Sequence, residues 1–346
     1  METLRRLAAL TASILLALLL VTCQPKLTIL SYNVKNLFDD VDDGTEYERF
    51  DPEKGAWTRA DFDRKLRAVA EVIKKSTLNG PDVVALQEVE NRHALDRLCG
   101  GYLGLLGYDY RAVVPVGDQA VQCAVVSRYP IRRVGVLNPG DWDDRGQRFI
   151  LETEIEYKGQ TLFLFNNHWK SKTGGTRSTE PARVASAQVL TRRIGELLVK
   201  DPDADIVVLG DFNENVEEFR ASAGRYRTAL LPFEARGSDA PGILYLADTP
   251  EKAGLQDDLV VLYETWYELP EDKRGSYVYQ GLWQTPDHIL LSPGLFDSRG
   301  FTYSRGQFQV LRSSFLIHSK SGFPKHGSKW PYSDHLPLLL TLGVAE

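Results

Sequence analysis

The feature that most constrains the fold is a short apolar run followed at once by polar side chains. Residues 206–209 are all apolar (Ile, Val, Val, Leu), and this pattern predicts a strand that is buried on both faces. Gly210 ends the run, and Asp211 and Asn213 would project to the same side in extended geometry. Such a pair can hold a water, a metal or a phosphate, although an isolated pair is also typical of an Asx turn.

The same pattern recurs earlier in the chain, where predicted strands end in Asn33, Glu88 and His168. A carboxylate at the end of an apolar strand costs free energy to desolvate unless it is paired or bound to a metal, so Glu88 is a candidate ligand. Taken alone, Glu88 is also typical of a helix cap or a rim residue, and His168 of a structural histidine. Lys170, Lys172 and the glycines after them make the His168 segment a candidate phosphate site.

Two further motifs lie near the C-terminus. Asp287 enters an apolar strand, and Asp334 and His335 precede the last strand at residues 338–342. A carboxylate can bind a metal, and an imidazole, which titrates near neutral pH, can move a proton.

The remaining pattern predicts strands in hairpins rather than a strand-helix alternation. We expect strand pairs at residues 108–116 with 121–127, and at 149–157 with 161–165. A capping box at residues 58–61 predicts a first helix. A second helix is predicted at residues 181–200, with Arg183 on its outer face. The sequence between residues 216 and 273 favours helices and a long loop, and no chemistry is assigned to it.

Length and charge restrict the classes of protein that fit. The chain has 346 residues, 43% of them apolar, which is enough for one large domain, and it contains no internal repeat. Its formal net charge of −6 will not draw the whole protein to nucleic acid. Binding of a polyanion therefore requires a metal or a local patch, for which Lys170, Lys172, Arg177 and Arg183 are candidates. The acidic residues 39–51 are interpreted as a solvated loop that could also contribute to a metal site.

The N-terminus predicts export from the cytoplasm. Residues 1–23 carry Arg5 and Arg6 before an apolar run and end in Cys23, which resembles a lipoprotein signal with cleavage before that cysteine. Ordinary secretion and an uncleaved anchor are the alternatives. Residues 24–346 are then a single domain that works outside the cytoplasm, either secreted or lipid-anchored to the cell envelope. Of the remaining cysteines, Cys123 is predicted to be a buried free thiol, with a disulfide to Cys99 as the less favoured alternative.

Six motifs occur in a fixed order: Asn33 after a strand, Leu86-Gln87-Glu88, Asn167-His168, Gly210-Asp211-Phe212-Asn213, Asp287-His288-Ile289-Leu290 and Ser333-Asp334-His335. Together they resemble the endonuclease/exonuclease/phosphatase superfamily, which includes deoxyribonuclease I, inositol polyphosphate 5-phosphatases and neutral sphingomyelinases. The resemblance spans residues 27–342. It implies an α/β (α+β) fold, a four-layer α/β sandwich in which two mixed, mostly antiparallel sheets pack together with helices outside. It also implies that the catalytic loops gather at one edge of the sandwich.

The resemblance also implies a metal-dependent phosphoric ester hydrolase. Glu88 would be the principal Mg²⁺ ligand, with Asn33 and Asp334 near the metal, because hard oxygen ligands suit Mg²⁺ or Mn²⁺. Lys170 and Lys172 would contact phosphate.

The catalytic roles implied by the same resemblance involve five residues. Asp211 and Asn213 would orient or deprotonate the attacking water, and Asp287 would fix the tautomer of His335. His168 would hydrogen-bond a phosphate oxygen in the transition state. Relatives differ on whether Asp211 or the Asp287–His335 pair is the general base. Some nucleases of the family also orient this histidine with a carboxylate on the strand that here carries residues 121–123, and this chain has none there.

The expected substrate is DNA or RNA, because residues 167–172 resemble a segment of bacterial extracellular nucleases in the family. The alternative is a phosphatase or a phospholipase-C-like hydrolase of phospholipid or inositol phosphate head groups. The sphingomyelinase branch usually adds an apolar membrane-contacting hairpin, and the sequence has no distinct one. A catalytically inactive binding lipoprotein is disfavoured, since every catalytic side chain is present. We expect a monomer that reaches the membrane through Cys23.

Overall fold

The computed structural model describes residues 25–115, 119–140, 148–236, 243–327 and 331–345. The predicted signal, with Cys23, lies outside the described residues. Within the described ranges, no helix is both long enough and apolar enough to cross a bilayer.

The described residues form eighteen strands and four α-helices. The strands are β1 (Lys26–Leu37), β2 (Val83–Val89), β3 (Tyr110–Val113), β4 (Gln122–Ser127), β5 (Ile131–Leu137), β6 (Ile150–Tyr157), β7 (Gln160–His168), β8 (Ile206–Asp211), β9 (Leu230–Pro232), β10 (Leu244–Ala247), β11 (Gly254–Gln256), β12 (Leu259–Glu264), β13 (Tyr277–Tyr279), β14 (Leu282–Gln284), β15 (Asp287–Leu291), β16 (Phe301–Thr302), β17 (Phe308–Val310) and β18 (Leu338–Val344). The helices are α1 (Arg59–Ser76), α2 (Arg92–Tyr102), α3 (Thr176–Lys200) and α4 (Glu218–Ser222).

Two mixed sheets form the centre of the molecule. The first has the strand order β16-β18-β1-β2-β4-β3, with β17 also paired to β18. The second has the order β5-β6-β7-β8-β15-β12-β10-β9, with β11 paired to β12. Strands β13 and β14 form a separate hairpin. Most neighbouring strands are antiparallel, but β1 pairs with β2, and β7 with β8, in parallel.

Helices cover both outer faces, which gives four layers. Strand β2 contacts β7 and β8 across the sandwich, while α1 packs on β1 and α3 packs on β10, β11 and β12. One apolar cluster fills the space between the sheets and under α3, and a second lies between the first sheet and α1 and α2. The predicted four-layer α/β sandwich is therefore confirmed.

Local signals explain the first helix. The side chain of Thr58 accepts a hydrogen bond from the backbone of Asp61, whose carboxylate in turn accepts from the backbone of Thr58, so the predicted capping box is present. The apolar residues at helical spacing face the first sheet, and Phe62, Leu66 and Ile73 are fully buried. Cys99 and Cys123 are both buried and free, as expected for small apolar side chains.

The prediction for the second helix was wrong in two respects. The helix α3 begins at Thr176 rather than at residue 181, so Pro181 lies inside it. Arg183 was expected on the outer face but is fully buried. Its guanidinium lies 2.6 Å from a carboxylate oxygen of Glu180 and donates to the backbone carbonyl of Lys170, so buried partners replace its water. Arg183 is therefore not part of a basic rim.

The prediction for residues 216–273 was also wrong. Its described residues form the short helix α4, four short 3-10 helices and the strands β9, β10, β11 and β12, which join the second sheet. These strands have three to six residues each, which is too short for a clear alternation of apolar and polar positions. They extend the second sheet away from the site and leave the site residues where the sequence predicted strand ends.

Candidate active site

Strand pairing in the second sheet brings three of the predicted residues side by side. His168 is opposite Asp211 in the parallel pair of β7 and β8. Asp211 is in turn opposite Asp287 in the antiparallel pair of β8 and β15. The three side chains therefore meet at one edge of the sandwich, although 43 residues separate His168 from Asp211 along the sequence (211 − 168).

Gly210 makes this arrangement possible. Its φ of +125° is rarely adopted by residues with a side chain, and a Cβ at this position would lie 2.0 Å from the backbone oxygen of Asn167. The absence of a side chain lets β7 and β8 stay paired up to the catalytic residues.

The first sheet contributes Asn33 and Glu88 from the parallel strands β1 and β2. The register of this pair is irregular between Asn33 and Leu37, and Glu88 has a φ of +65°. Such a backbone conformation costs of order 1–3 kcal/mol in a residue with a side chain and is concentrated at functional sites. The irregularity turns the Glu88 carboxylate toward the cleft instead of along the sheet face.

Asn33 connects the two sheets at the site. Its amide nitrogen lies 3.1 Å from Oε1 of Glu88 and 2.9 Å from Oδ2 of Asp211. The Asn33 oxygen accepts a hydrogen bond from the backbone N–H of Lys35 at 2.9 Å, which fixes the orientation of the amide. One neutral amide thus holds two carboxylates at a defined separation.

Asp211 is nearly fully buried, with 2% of its surface exposed. Its other oxygen, Oδ1, accepts from the backbone N–H of Asn213 at 2.9 Å, and the Asn213 amide donates to the carbonyl of Trp169. Burial raises the pKa of Asp211 to about 6, with Asp287 adding to the shift and the charge of His335 opposing it. Asp211 is therefore a carboxylate that can accept a proton near neutral pH.

His335 forms a pair with Asp287 at 2.8 Å between Nδ1 and Oδ2. Ser276 donates a second hydrogen bond to the same Asp287 oxygen, and the ring of Tyr277 stacks on the imidazole at 4.7 Å between centroids. Burial lowers the pKa of His335, but the charges of Asp287 and Asp211 outweigh it and raise this pKa to about 10. His335 is therefore an imidazolium at neutral pH, and its Nε2 lies 4.0 Å from Asp211.

His168, unlike His335, is neutral at neutral pH. Burial, together with the nearby positive charges of Arg148 and His335, lowers the pKa of His168 well below its usual value. Nη1 of Arg148 lies 2.8 Å from Nε2 of His168 and also donates to the carbonyl of Trp169. Because a guanidinium only donates, Nε2 of His168 is the acceptor and the proton is on Nδ1. Some nucleases of the family orient this histidine with a carboxylate that this chain lacks. Here the guanidinium of Arg148 orients the ring through Nε2.

Asp334 is held by Lys35, whose ammonium group forms an ion pair with it. Burial raises the pKa of Asp334, but the charges of His335 and Lys35 outweigh this effect and hold it below its usual value. Asp334 is therefore ionised and lies next to His335, in the region where Glu88 and Asn33 also end.

The site was tested for its fit to a divalent metal. One oxygen of Asp211, one of Asp287 and one ring nitrogen of His335 lie within 4.8 Å of one another, which makes them a candidate metal cluster among the described residues. However, His335 is protonated and donates to Asp287, so this ring is a poor ligand in that state. Glu88 accepts a hydrogen bond only from Asn33 among the described residues, and its side chain is 18% exposed. The carboxylates of Glu88 and Asp334 therefore fit a hard divalent cation better, and Asn33 orients Glu88 through its amide nitrogen.

Of the two lysines predicted to contact phosphate, Lys172 pairs with a carboxylate outside this cluster, and the contact of Lys170 with phosphate stays a prediction. Nζ of Lys172 lies 2.6 Å from Oε2 of Glu218 in α4. Lys170 is half-buried, and its carbonyl accepts from the buried Arg183. The other eight predicted residues meet at the cleft: Asn33, Glu88, His168, Asp211, Asn213, Asp287, Asp334 and His335.

Sequence reasoning missed four residues that touch this cluster, namely Lys35, Arg148, Ser276 and Tyr277. Lys35 is two residues from Asn33 and could have been found by its position at the end of the same strand. Arg148 comes before β6 in a segment without a motif, so no sequence signal was available. The alternating aromatic residues at 277–283 are typical of core packing as well as of a stacking surface, so the contact of Tyr277 with His335 has no distinct sequence signal.

The fold matches that of many known structures. The chain is similar to Danio rerio TDP2 in complex with a single-strand DNA product, at 16% identity and a TM-score of 0.54, covering 92% of this chain and 99% of that one. It is also similar to the human Nocturnin catalytic domain with bound sulfate, at 18% identity and a TM-score of 0.53, covering 93% of this chain and 94% of that one. A third similar structure is sphingomyelinase C from Streptomyces griseocarneus, at 15% identity and a TM-score of 0.51, covering 92% of this chain and 99% of that one. No curated protein matches the sequence.

The family was identified from the sequence as well as from the fold. A family model described as "Endonuclease/Exonuclease/phosphatase family" matches residues 28–225, which is more than half of the 346 residues. This range includes Asn33, Glu88, His168, Asp211 and Asn213, whereas Asp287 on β15 and Asp334 and His335 before β18 lie beyond it. The match and the fold agree with the six motifs: this chain belongs to the endonuclease/exonuclease/phosphatase family, whose members are phosphoric ester hydrolases.

Proposed function

We propose that this protein is a Mg²⁺-dependent phosphodiesterase that hydrolyses nucleic acid by in-line attack of water. The observation that carries the proposal is the pair of opposite charge states at one point: the buried carboxylate of Asp211 with a pKa of about 6 and the His335 imidazolium with a pKa of about 10. Two neighbouring groups whose environments move their pKa values apart can serve as base and as electrophile at the same pH. Mn²⁺ is the alternative metal.

In this proposal Asp211 is the general base. Asn33 and the backbone of Asn213 each hold one oxygen of Asp211, so its carboxylate cannot rotate away from the water that it deprotonates. His335 cannot serve as the base while it is protonated. It instead places positive charge beside the phosphate oxygens, and Asp287 keeps its Nδ1 engaged.

Further residues bind the phosphate and the metal. Arg148 would donate to a phosphate oxygen and stabilise its negative charge, and Nε2 of His168, which accepts a hydrogen bond from Arg148, holds the guanidinium in place. Glu88 would hold Mg²⁺, with Asn33 and Asp334 beside it. When bound, this ion would neutralise negative charge on the phosphate.

Two observations favour nucleic acid as the substrate. The relative from Danio rerio was solved with a single-strand DNA product. A group of basic side chains next to Asp334 (Lys35, Arg49, Arg64 and Lys65) supplies the local positive patch that the net charge of −6 requires.

A lipid phosphodiester is the second candidate substrate. The β13–β14 hairpin carries Tyr279 and Leu282 with 52% and 70% of their surfaces exposed, and Tyr277 of the same hairpin stacks on His335. An exposed apolar tip beside the catalytic histidine suits contact with a membrane surface. The similarity to sphingomyelinase C from Streptomyces griseocarneus agrees with this alternative.

The experiment that separates these substrates uses purified residues 24–346 with Mg²⁺, Mn²⁺ or EDTA. Plasmid DNA, RNA, sphingomyelin and inositol polyphosphates are the substrates, and Asp211→Ala is the control for a contaminating hydrolase. We expect metal-dependent cleavage of nucleic acid by the unmodified protein only. Release of a lipid or inositol phosphate with nucleic acid left intact would overturn the proposed substrate.

We also propose that the protein is exported and tethered through Cys23. This proposal is supported by the two arginines, the apolar run and the cysteine within residues 1–23. A Cys23→Ser variant is expected to move from the membrane fraction to the soluble fraction of cells that express the full chain. Unchanged membrane association of this variant would contradict the tether.

A further inference from the structure

A cavity of about 270 Å³ lies beside the candidate active site. We call it the basic pocket and define it by Lys35, Arg49, Trp57, Arg64, Lys65 and Tyr332. Lys35 belongs to this pocket and also pairs with Asp334, so the pocket opens at the edge of the catalytic cleft. This volume is slightly below the roughly 300 Å³ at which pockets for drug-sized ligands begin. It therefore suits a small ligand, such as one ring system with an attached phosphate.

The charge of the basic pocket differs from that of the whole chain. Four cationic side chains line it, whereas Asp61 is its single acidic residue among the described lining. Asp61 is already engaged, since it pairs with Arg64 at 2.5 Å and accepts from the backbone of Thr58. Asp61 neutralises Arg64 and Asp334 neutralises Lys35, so Arg49 and Lys65 supply the positive charge that favours an anionic ligand, against a formal net charge of −6 for the protein.

Lys65 is the strongest sign that a ligand belongs here. Only 7% of its surface is exposed, and its ammonium group donates a single hydrogen bond within the described residues, at 3.3 Å to the carbonyl of Pro331. The charges of Glu88 and Asp334 act on this ammonium group, but an ammonium group can donate three hydrogen bonds, and a buried donor without an acceptor is costly. Nε1 of Trp57 is likewise buried and has no acceptor among the described atoms. An anion in the pocket would give these donors their missing acceptors.

Aromatic side chains form the walls of the basic pocket. Trp57 contacts Phe50 edge to face at 5.0 Å between centroids, and Tyr332 is oriented by a hydrogen bond to Glu71. Aromatic rings next to basic groups are the usual surface for a nucleobase and its phosphate. A choline head group also binds aromatic rings, but Arg49 and Lys65 of this pocket would repel its quaternary ammonium.

We propose that the basic pocket binds the nucleotide unit next to the scissile phosphodiester, with the base against the Trp57 and Tyr332 walls and the phosphate at Lys65. This inference rests on the nuclease activity proposed above and assigns the part of the substrate that the catalytic residues do not contact. It also makes the protein selective for nucleotides over phosphocholine at this position.

Isothermal titration calorimetry on the Mg²⁺-loaded full chain tests the inference. The probe is adenosine 5′-thiomonophosphate, which resists hydrolysis, and inorganic phosphate and phosphocholine are the comparison ligands. We expect Lys65→Met to weaken binding of the probe at least about tenfold, as for loss of a charge-assisted hydrogen bond. Arg49→Gln, an exposed position where folding is not at risk, should weaken it at least about threefold. Lys74→Met on the exposed face of α1 is the matched control and should bind like the unmodified protein.

Two results would overturn the inference. One is a probe affinity no higher than that of inorganic phosphate or phosphocholine, and the other is equal probe affinity in the unmodified, Lys65→Met and Arg49→Gln proteins. Cleavage of an oligonucleotide by the same preparation is scored separately. Cleavage without probe binding refutes this inference alone, whereas probe binding without cleavage refutes the nuclease activity and leaves a nucleotide pocket.

Discussion

Replacing Asp287 by asparagine tests the charge state assigned to His335. The asparagine side chain would keep an oxygen that can accept from Nδ1 of His335, but the substitution removes the negative charge that lies 2.8 Å from the ring. The pKa of His335, now about 10, should then fall toward or below the ordinary histidine value of about 6.5, because burial opposes the charged form.

The magnitude follows from these two pKa values. At pH 8 a histidine with a pKa of about 10 is about 99% protonated, whereas one with a pKa of about 6.5 is about 3% protonated. If the imidazolium stabilises the transition state, kcat at pH 8 should fall about 30-fold. The kcat of Asp287→Asn should therefore decrease about tenfold per pH unit above pH 6.5 and recover as the pH is lowered.

The assay measures kcat for bis(4-nitrophenyl) phosphate with saturating Mg²⁺ from pH 6 to 9. Asp272→Asn, which changes an exposed aspartate with a 73% accessible side chain, is the matched control. The unmodified protein should keep its kcat from pH 7 to 9, because His335 remains protonated, and should lose activity only toward pH 6, where Asp211 takes up a proton. A pH profile of Asp287→Asn that runs parallel to that of the unmodified protein would refute the role of the imidazolium.

Three further perturbations address the rest of the site. Glu88→Gln should raise the Mg²⁺ concentration for half-maximal activity at least about tenfold, and a metal titration that coincides with the unmodified protein would exclude Glu88 as a ligand. Arg148→Gln should raise the pKa of His168, since it removes a positive charge at 2.8 Å, and NMR titration of the histidine ring would detect the shift or its absence. Gly210→Ala should destabilise the fold by roughly 3 kcal/mol or more in urea denaturation, because its Cβ would meet the Asn167 backbone. Gly159→Ala, with no atom within 4 Å of the added Cβ, should cost far less, and equal losses would argue against the clash.

The site residues could be predicted because each one lies in a short sequence motif that can be recognised without knowledge of the rest of the fold. An apolar run that stops at a carboxylate, an amide or a histidine is energetically reasonable only where the polar side chain has a partner, and Asn33, Glu88 and Asp211 follow this rule. Strand pairing then had to bring them together. The order of the motifs matched a known family, which supplied the topology that local patterns could not.

The parts that could not be predicted depend on contacts between distant segments. Arg183 is buried because Glu180 and Glu214 lie beside it, and Glu214 is 31 residues away along the chain (214 − 183). Arg148 contacts His168 without any pattern of its own. The charge of His335 depends on Asp287 and Asp211, so its pKa could be assigned only once the three side chains were placed.

The central claim is that Asp211 is the base of a metal-dependent phosphodiesterase, and Asp211→Asn tests it most directly. The asparagine occupies the same volume, but its NH2 group replaces the acceptor of either Asn33 or Asn213, so we expect a lower melting temperature for a variant that still folds and binds Mg²⁺ with an affinity close to that of the unmodified protein. Hydrolysis of bis(4-nitrophenyl) phosphate should fall at least about 1,000-fold, or about 4 kcal/mol of transition-state stabilisation. A folded, Mg²⁺-binding variant that retains more than about a tenth of the rate would contradict the account.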